Sequence, residues 1–479
     1  MLATPSTDHN HNTRPVGTDA HLKRTDDEVT AQEAISEGAF TLAPGLGGIP
    51  LEFLGYEPEI LASKQTAYLG TALNGMSPIY DVSGPDALAF LRSVCINSFK
   101  NFHVGQIRHA VLCNDKGQIL TDGVIAHIED GVYRTYWLAP TLDYRLINSG
   151  MDVTGTDQSF NEFFFQIAGP RSLEVLEAAA QEDLHDIAFG RHRMSNIAGI
   201  PVRVLRLGMA GTLAYEVHGA MSDTEAVYRA IWEAGQPFGL VKQGQTAYLM
   251  QHTEAGFPNI NLHYPLPWYE EADMAAYFDT QPMQNFYNKY RHFFGSVGPD
   301  AEARFVTPFQ VGWGKMVDFS HDFIGKEALQ REAEADHWAT VTLVWNEEDI
   351  ADVVASKYRG HEVEPYDRID DRPYDIYFNL GGQIGFGYHA DWVLADGERI
   401  GTSTGRINSV YYRRMISIGF IDKRYAAEGT ELTVLWGRPG TPQKEIRVTV
   451  GRYPYFDLTN NNAVDVSTIP RFALSGLTE

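Results

Sequence analysis

The sequence predicts an α+β fold of mixed antiparallel sheets with helices, followed by a C-terminal β-barrel. Three observations predict it. "IYDVSGPDALAFLRSV" (79–94) and "FFFQIAGPRSLEVLEAA" (163–179) repeat one strand, Gly-Pro turn and helix unit, which points to internal duplication. Between them, turns at Asn114–Gly117 and Glu129–Gly131 separate three alternating runs, the pattern of an antiparallel meander. Beyond residue 335, runs such as "GGQIGFGYHADWVLADGERIG" and "SIGFIDKRYAAEGTELTVLWG" alternate between glycine turns at the spacing of an all-β barrel.

A chain of 479 residues is too long for one core, so several domains are expected. Residues 1–35 are polar and aperiodic and read as a tail, within which the His9/His11 pair carries no expectation of a metal. Residues 36–334 read as the α+β region, two intertwined subdomains with an aromatic-rich insertion at about 265–305, and residues 335–479 as the barrel. In the first duplicated unit Pro85 suits the helix's first turn and Leu88, Leu91 and Val94 form its inward stripe. In "DTEAVYRAIWEAGQPFG" the inward residues are Ala226, Ile231 and Ala234, with Gly235 ending the helix.

The formal charge of −24 argues against nucleic acid and anionic membrane surfaces as partners. Two cysteines, Cys95 and Cys113, are too few for a disulfide scaffold, and no apolar stretch reaches signal or membrane-span length, so a cytoplasmic location is expected. "GTSTG" (401–405) has the G-x-S-x-G pattern of serine hydrolases, but the alternating run after it is a strand where that motif needs a helix. "GLGGIP" (45–50) lacks the third glycine of a dinucleotide fingerprint, and H-E-x-x-H, C-x-x-C and P-loop patterns are absent. No metal is expected.

Two acids stand among apolar neighbours. In "LRLGMAGTLAYEVHG" (205–219), Leu213, Tyr215 and Val217 point one way along a strand, while Ala214, Glu216 and His218 point the other. A carboxylate at mid-strand costs free energy unless something pairs with it. Asp122 shares the face of Leu120, Val124, Ala126 and Ile128 in the same way. In "GQTAYLMQHTEAGFPN" (244–259), Tyr248, His252 and Glu254 fall on a helix-like spacing, and residue types alone favour ordinary core positions for them. The chemistry stays open at this point.

The pieces "DVSGPDALAFL", "CNDKGQILTDGVIAHI", "FQIAGPRS", "LRLGMAGTLAYEVHG", "HTEAG" and "VGWGKMVDFSHDFIGKEAL", in this order, resemble the glycine-cleavage T-protein (aminomethyltransferase) family of tetrahydrofolate-dependent enzymes. The closest likeness is to its tetrahydrofolate-dependent aromatic O-demethylases, the vanillate/3-O-methylgallate and syringate enzymes, through "HDFIGKEAL", "VTLVWNEEDIADVVASKY" and a tyrosine at Tyr248. The resemblance implies a T-protein-like folate-binding fold and tetrahydrofolate as co-substrate. It implies that Glu216 accepts from the pterin edge, that Tyr215 beside it, Gln166 and Phe257 also contribute to the folate site, and that Asp122 orients folate. The implied reaction moves the methyl of an aromatic methyl ether to N5, with Tyr248 donating to the departing oxygen and His252 assisting or shaping the pocket. The branch's carboxylate-binding arginine is replaced by Leu138, and its histidine pair by "LNGMS" with Met76, both assigned to the substrate pocket. A benzoate carboxylate would then need Arg145 or His252. A different one-carbon donor (sulfonium, N-methyl or aminomethyl compound) and a non-catalytic folate-binding regulator are the alternatives.

Overall fold

The computed structural model describes residues 35–39, 41–43, 49–71, 78–260, 262–280, 291–373, 376–378 and 384–471. Met76, the His9/His11 pair and the tail lie outside the described residues.

The two strand, Gly-Pro turn and helix units lie in separate sheets. Strand Glu162–Ala168 sits inside a six-stranded sheet whose order is His192–Ile197, Ile200–Leu205, Ala214–Ala220, Glu162–Ala168, Ala67–Gly70, Leu240–Gln243, antiparallel except for the last pair. Strand Ile79–Ser83 sits inside a five-stranded sheet with the meander Ile107–Cys113, Ile119–Glu129, Val132–Tyr136 and an edge strand, Thr154–Asp157. Each unit turns from strand to helix at a left-handed glycine, Gly84 (φ 115°) and Gly169 (φ 128°). A Cβ at these glycines would come within 2.9 Å of the Asp152 carbonyl and 2.5 Å of the Thr66 carbonyl respectively, so both turns require glycine.

Helix Ala87–Val94 buries Ala87, Phe90, Leu91 and Val94, and Leu88 is only half-buried, so the stripe is centred on the phenylalanine. Helix Thr224–Gly235 differs from expectation: Val227, Tyr228, Ile231 and Gly235 face inward, while Ala226 is exposed and Ala234 half-buried. The larger side chains remove more apolar area from water and set the rotation.

The barrel is a closed ring of six strands, Ile384–Ala395, Glu398–Ser409, Arg414–Asp422, Trp338–Trp345, Lys444–Gly451 and Glu431–Trp436, the last pairing back to the first. Closure removes the open edges of the sheet. Ser403 lies within one of these strands, buried and hydrogen-bonded to Ser417 at 2.8 Å, which ends any nucleophile-elbow reading of "GTSTG".

The segment at 265–305 is more than a peripheral insertion. Leu266, Trp268, Met274 and Phe278 are buried in one core with Ile119 and Leu120 of the meander and Ile418 and Phe420 of the barrel. Aromatic residues without a period here fill the space between two sheets, and no single face had to be satisfied. Among the described residues no helix is long and apolar enough to cross a membrane.

Candidate active site

A cavity of about 270 Å³ opens where the two sheets meet helix Gln245–Ala255. The five-stranded sheet contributes His109, Asp122, Gly123, Tyr136 and Trp137; the six-stranded sheet contributes Phe164, Gln166 and Glu216; the helix and the loop after it contribute Tyr248, His252, Phe257 and Asn259. Gly208 is kept small because a Cβ there would meet Ala214 Cβ at 2.3 Å, beside the Gln166 amide.

The alternation of the Ala214–Ala220 strand holds as expected. Glu216 faces the cavity and is paired by its strand neighbours: Gln166 lies directly opposite it in the sheet and reaches Oε1 at 3.5 Å, and His218 Nε2 lies 3.0 Å from Oε2. His218 is fully buried, and that burial pushes its imidazole below the ordinary range against the pull of Glu216. The neutral ring therefore has one donor and one acceptor. The Tyr136 hydroxyl, whose pKa burial raises, lies 2.7 Å from Nδ1 and donates to it, so Nε2–H is aimed at Glu216. Gln166 is fixed likewise, its Oε1 accepting from the Tyr68 hydroxyl at 2.5 Å, which leaves its amide hydrogens for Glu216 and the cavity.

Asp122 is held differently. Oδ1 accepts from the Tyr264 hydroxyl at 2.9 Å, and Oδ2 faces His109 Nε2 at 2.9 Å. His109 in turn rests edge-on against Trp313 (ring centroids 4.7 Å apart), which also flanks Phe257.

On the helix, Tyr248 is nearly buried, and burial first, then Glu216 and Asp122, drive its hydroxyl pKa well up. It remains an O–H donor at ordinary pH, and among the described residues that hydroxyl has no hydrogen-bond partner. His252 packs edge-on against it at 4.9 Å. Burial lowers the His252 pKa to about 4. Its Nδ1–H donates to the Phe257 carbonyl at 2.9 Å, and its Nε2 lies 3.3 Å from the Asn259 amide, so both nitrogens are already engaged by the protein. His252 forms part of the cavity wall.

Tyr215 and Leu138 do not line the cavity. Tyr215 points to the opposite side of its strand, into the core with Phe165 and Val217. Leu138 is fully buried among Phe90, Leu91 and Ala110, while its neighbour Trp137, at φ 69°, turns into the cavity wall. Arg145 lies elsewhere, its guanidinium over the Tyr144 ring. Among the described residues the cavity has two carboxylates and neither lysine nor arginine in its wall.

The GCVT N-terminal domain family matches residues 73–263, which hold the five-stranded sheet and all of the six-stranded sheet but the strand Ala67–Gly70. Sesamin methylene transferase of Sinomonas sp. is 83% identical over 447 residues, covering 93% of this chain and 99% of that protein. Syringate O-demethylase of Sphingobium sp. is 31% identical over 441 residues, covering 87% and 92% respectively. The glycine cleavage system aminomethyltransferase T of Bartonella henselae has the same fold, with a TM-score of 0.59 at 15% identity over 92% of this chain and 99% of that structure. The chain thus belongs to the GcvT (aminomethyltransferase) family and is an enzyme of its folate-dependent, methyl-transferring class.

Proposed function

We infer that the protein moves the bridging carbon of a methylenedioxyarene of the sesamin type to tetrahydrofolate, releasing a catechol. The similarity to sesamin methylene transferase over nearly the whole chain carries this reading. The cavity supports it. A wall with two acids and no cation suits a neutral aryl ether and disfavours a benzoate.

The donor set suits a reduced folate. A pterin edge offers adjacent N–H groups, and the Glu216 carboxylate beside the Gln166 amide accepts from such a pair, which offsets its desolvation. Phe257, backed by Trp313 with centroids 5.5 Å apart, is a flat face for the ring. When bound, tetrahydrofolate supplies the nitrogen nucleophiles, so that methylenedioxyarene plus tetrahydrofolate gives catechol plus 5,10-methylenetetrahydrofolate without net oxidation or reduction. Tyr248, protonated and unengaged, donates its hydrogen to the aryl oxygen as negative charge develops there. Glu216, Gln166 and Phe257 hold the partner in reach of the reacting carbon, where positioning supplies a large share of the rate.

A methyl ether remains the second reading, favoured by the similarity to syringate O-demethylase. Anaerobic incubation with tetrahydrofolate and either sesamin or a neutral methoxyarene separates them: the first donor yields catechol and 5,10-methylenetetrahydrofolate, the second a phenol and 5-methyltetrahydrofolate. Tyr248→Phe should lower turnover about 100-fold or more with folate binding retained. Turnover at the wild-type level removes Tyr248 from the chemistry.

A further inference from the structure

Three histidines stand in or directly behind the cavity, and their ring nitrogens are committed differently. Both nitrogens of His218 are taken, by Glu216 and Tyr136, and both of His252 by Asn259 and the Phe257 carbonyl. Among the described residues one His109 ring nitrogen has a hydrogen-bond partner. Its Nε2 lies 2.9 Å from Asp122 Oδ2, and Asp122 is itself pinned by the Tyr264 hydroxyl. Among the described residues Nδ1 has no partner, and His109 lines the cavity with its side chain 21% exposed. A carboxylate that fixes one nitrogen as N–H leaves the other with an open lone pair, the arrangement that general-base histidines use.

The proposed reaction has a proton balance that Tyr248 does not satisfy by itself. Cleaving both C–O bonds of a methylenedioxy bridge sends two electron pairs to oxygen. Two C–N bonds form, two N–H protons must be removed, and two protons must reach the departing oxygens. We propose that His109, oriented by Asp122, is the second proton carrier: its Nδ1 takes the proton released from nitrogen and returns it to the aryl oxide or to the Tyr248 oxygen. Each cycle breaks an N–H bond and forms an O–H bond, and the ring ends neutral, so no oxidant, reductant or metal enters the balance. The inference rests on the one-carbon transfer proposed above. It gives Asp122 a role through His109, whose Nε2 it holds at 2.9 Å.

The test combines reactivity and binding with turnover. Diethylpyrocarbonate labelling of the wild-type protein with peptide mapping should mark His109 and spare His218 and His252, and tetrahydrofolate should protect the label site. His109→Gln keeps a side-chain amide for Asp122. Its affinity for tetrahydrofolate by anaerobic calorimetry should stay within about 3-fold of wild type, while turnover falls about 100-fold or more and recovers in part with added imidazole. Asp122→Asn is the second variant, expected to lose turnover to a similar extent and to bring no imidazole rescue. Turnover of His109→Gln within 3-fold of wild type overturns the proposal, as does a fall in folate affinity that accounts for the loss. So does labelling that passes over His109. The assays use whichever donor the wild type consumes. Failure with sesamin alongside activity on a methoxyarene therefore overturns the donor reading, and the His109 comparison is then read on the methoxyarene.

Discussion

Glu216→Gln isolates the central electrostatic argument. The substitution keeps shape, so the strand and its pairing with Gln166 should survive. The amide has one acceptor where the carboxylate has two. His218 Nε2–H, aimed at this side chain from 3.0 Å, claims the amide oxygen, because the buried donor is otherwise orphaned. The amide nitrogen is then turned toward Gln166 and toward the N–H edge of the folate, where a donor meets donors. The loss is at least one charge-assisted hydrogen bond, about 1.5–3 kcal/mol, or about a 10- to 150-fold rise in Kd. Anaerobic titration calorimetry with tetrahydrofolate measures it, with circular dichroism to verify the fold. A Kd within twofold of wild type would refute the assignment of Glu216 to the pterin edge.

Two further outcomes follow from buried ionisable groups. Lys64 Nζ and Glu254 Oε2 pair at 3.1 Å with both side chains fully buried, so Lys64→Met should destabilise by about 3–5 kcal/mol by leaving a buried carboxylate unpaired, and Lys64→Met/Glu254→Gln should recover much of that; denaturant unfolding reads both. His252, at about 4 in the folded chain and near 6.5 when unfolded, binds its proton preferentially in the unfolded state; its share of stability is complete above about pH 6.5 and falls by about 3 kcal/mol as pH drops toward 4. His252→Gln should flatten the stability-versus-pH curve across that window, and an unchanged slope would count against the neutral buried ring.

What could be read in the sequence was what depends on local periodicity. The two Gly-Pro turns, the meander and the side of the strand on which Glu216 lies all follow from residues within a few positions of one another. His109, Tyr136 and Tyr264 escaped that reading because their meaning depends on register and on distant chain. His109 pairs with Val124 across the hairpin and meets Asp122 only diagonally, since Asp122 itself is opposite Val111. The Asn114–Gly117 turn limits the possible registers, so a histidine facing a lone acid across it was the available signal. Tyr264 lies 142 residues from the acid it binds, and no periodicity carries that information. Tyr215 was drawn toward the cofactor by its neighbour, although a period of two places adjacent residues on opposite faces.

The barrel is far from the reacting groups in sequence, yet it fixes them in space. Helix Gln245–Ala255 carries Tyr248 and has almost no polar face to orient it against water, nine of its eleven residues being buried. Its rotation is set at its ends. The Glu59 carboxylate accepts from Gly244 N–H at 2.9 Å at the start, and a Cβ at Gly244 would strike the Leu51 carbonyl at 2.2 Å. Near the other end, the Thr253 hydroxyl donates to the Gly405 carbonyl of the barrel at 2.7 Å, and Glu254 is clamped between Lys64 and the Ser409 hydroxyl, 2.6 Å away. Buried polar pairs of this kind add little net stability but penalise every other orientation, since a slipped helix strands a charge in the core. In the proposed reaction, the Tyr248 hydroxyl must meet a developing aryl oxide within a few tenths of an ångström and gains from that penalty. The closed strands thereby fix the register of the helix that carries Tyr248.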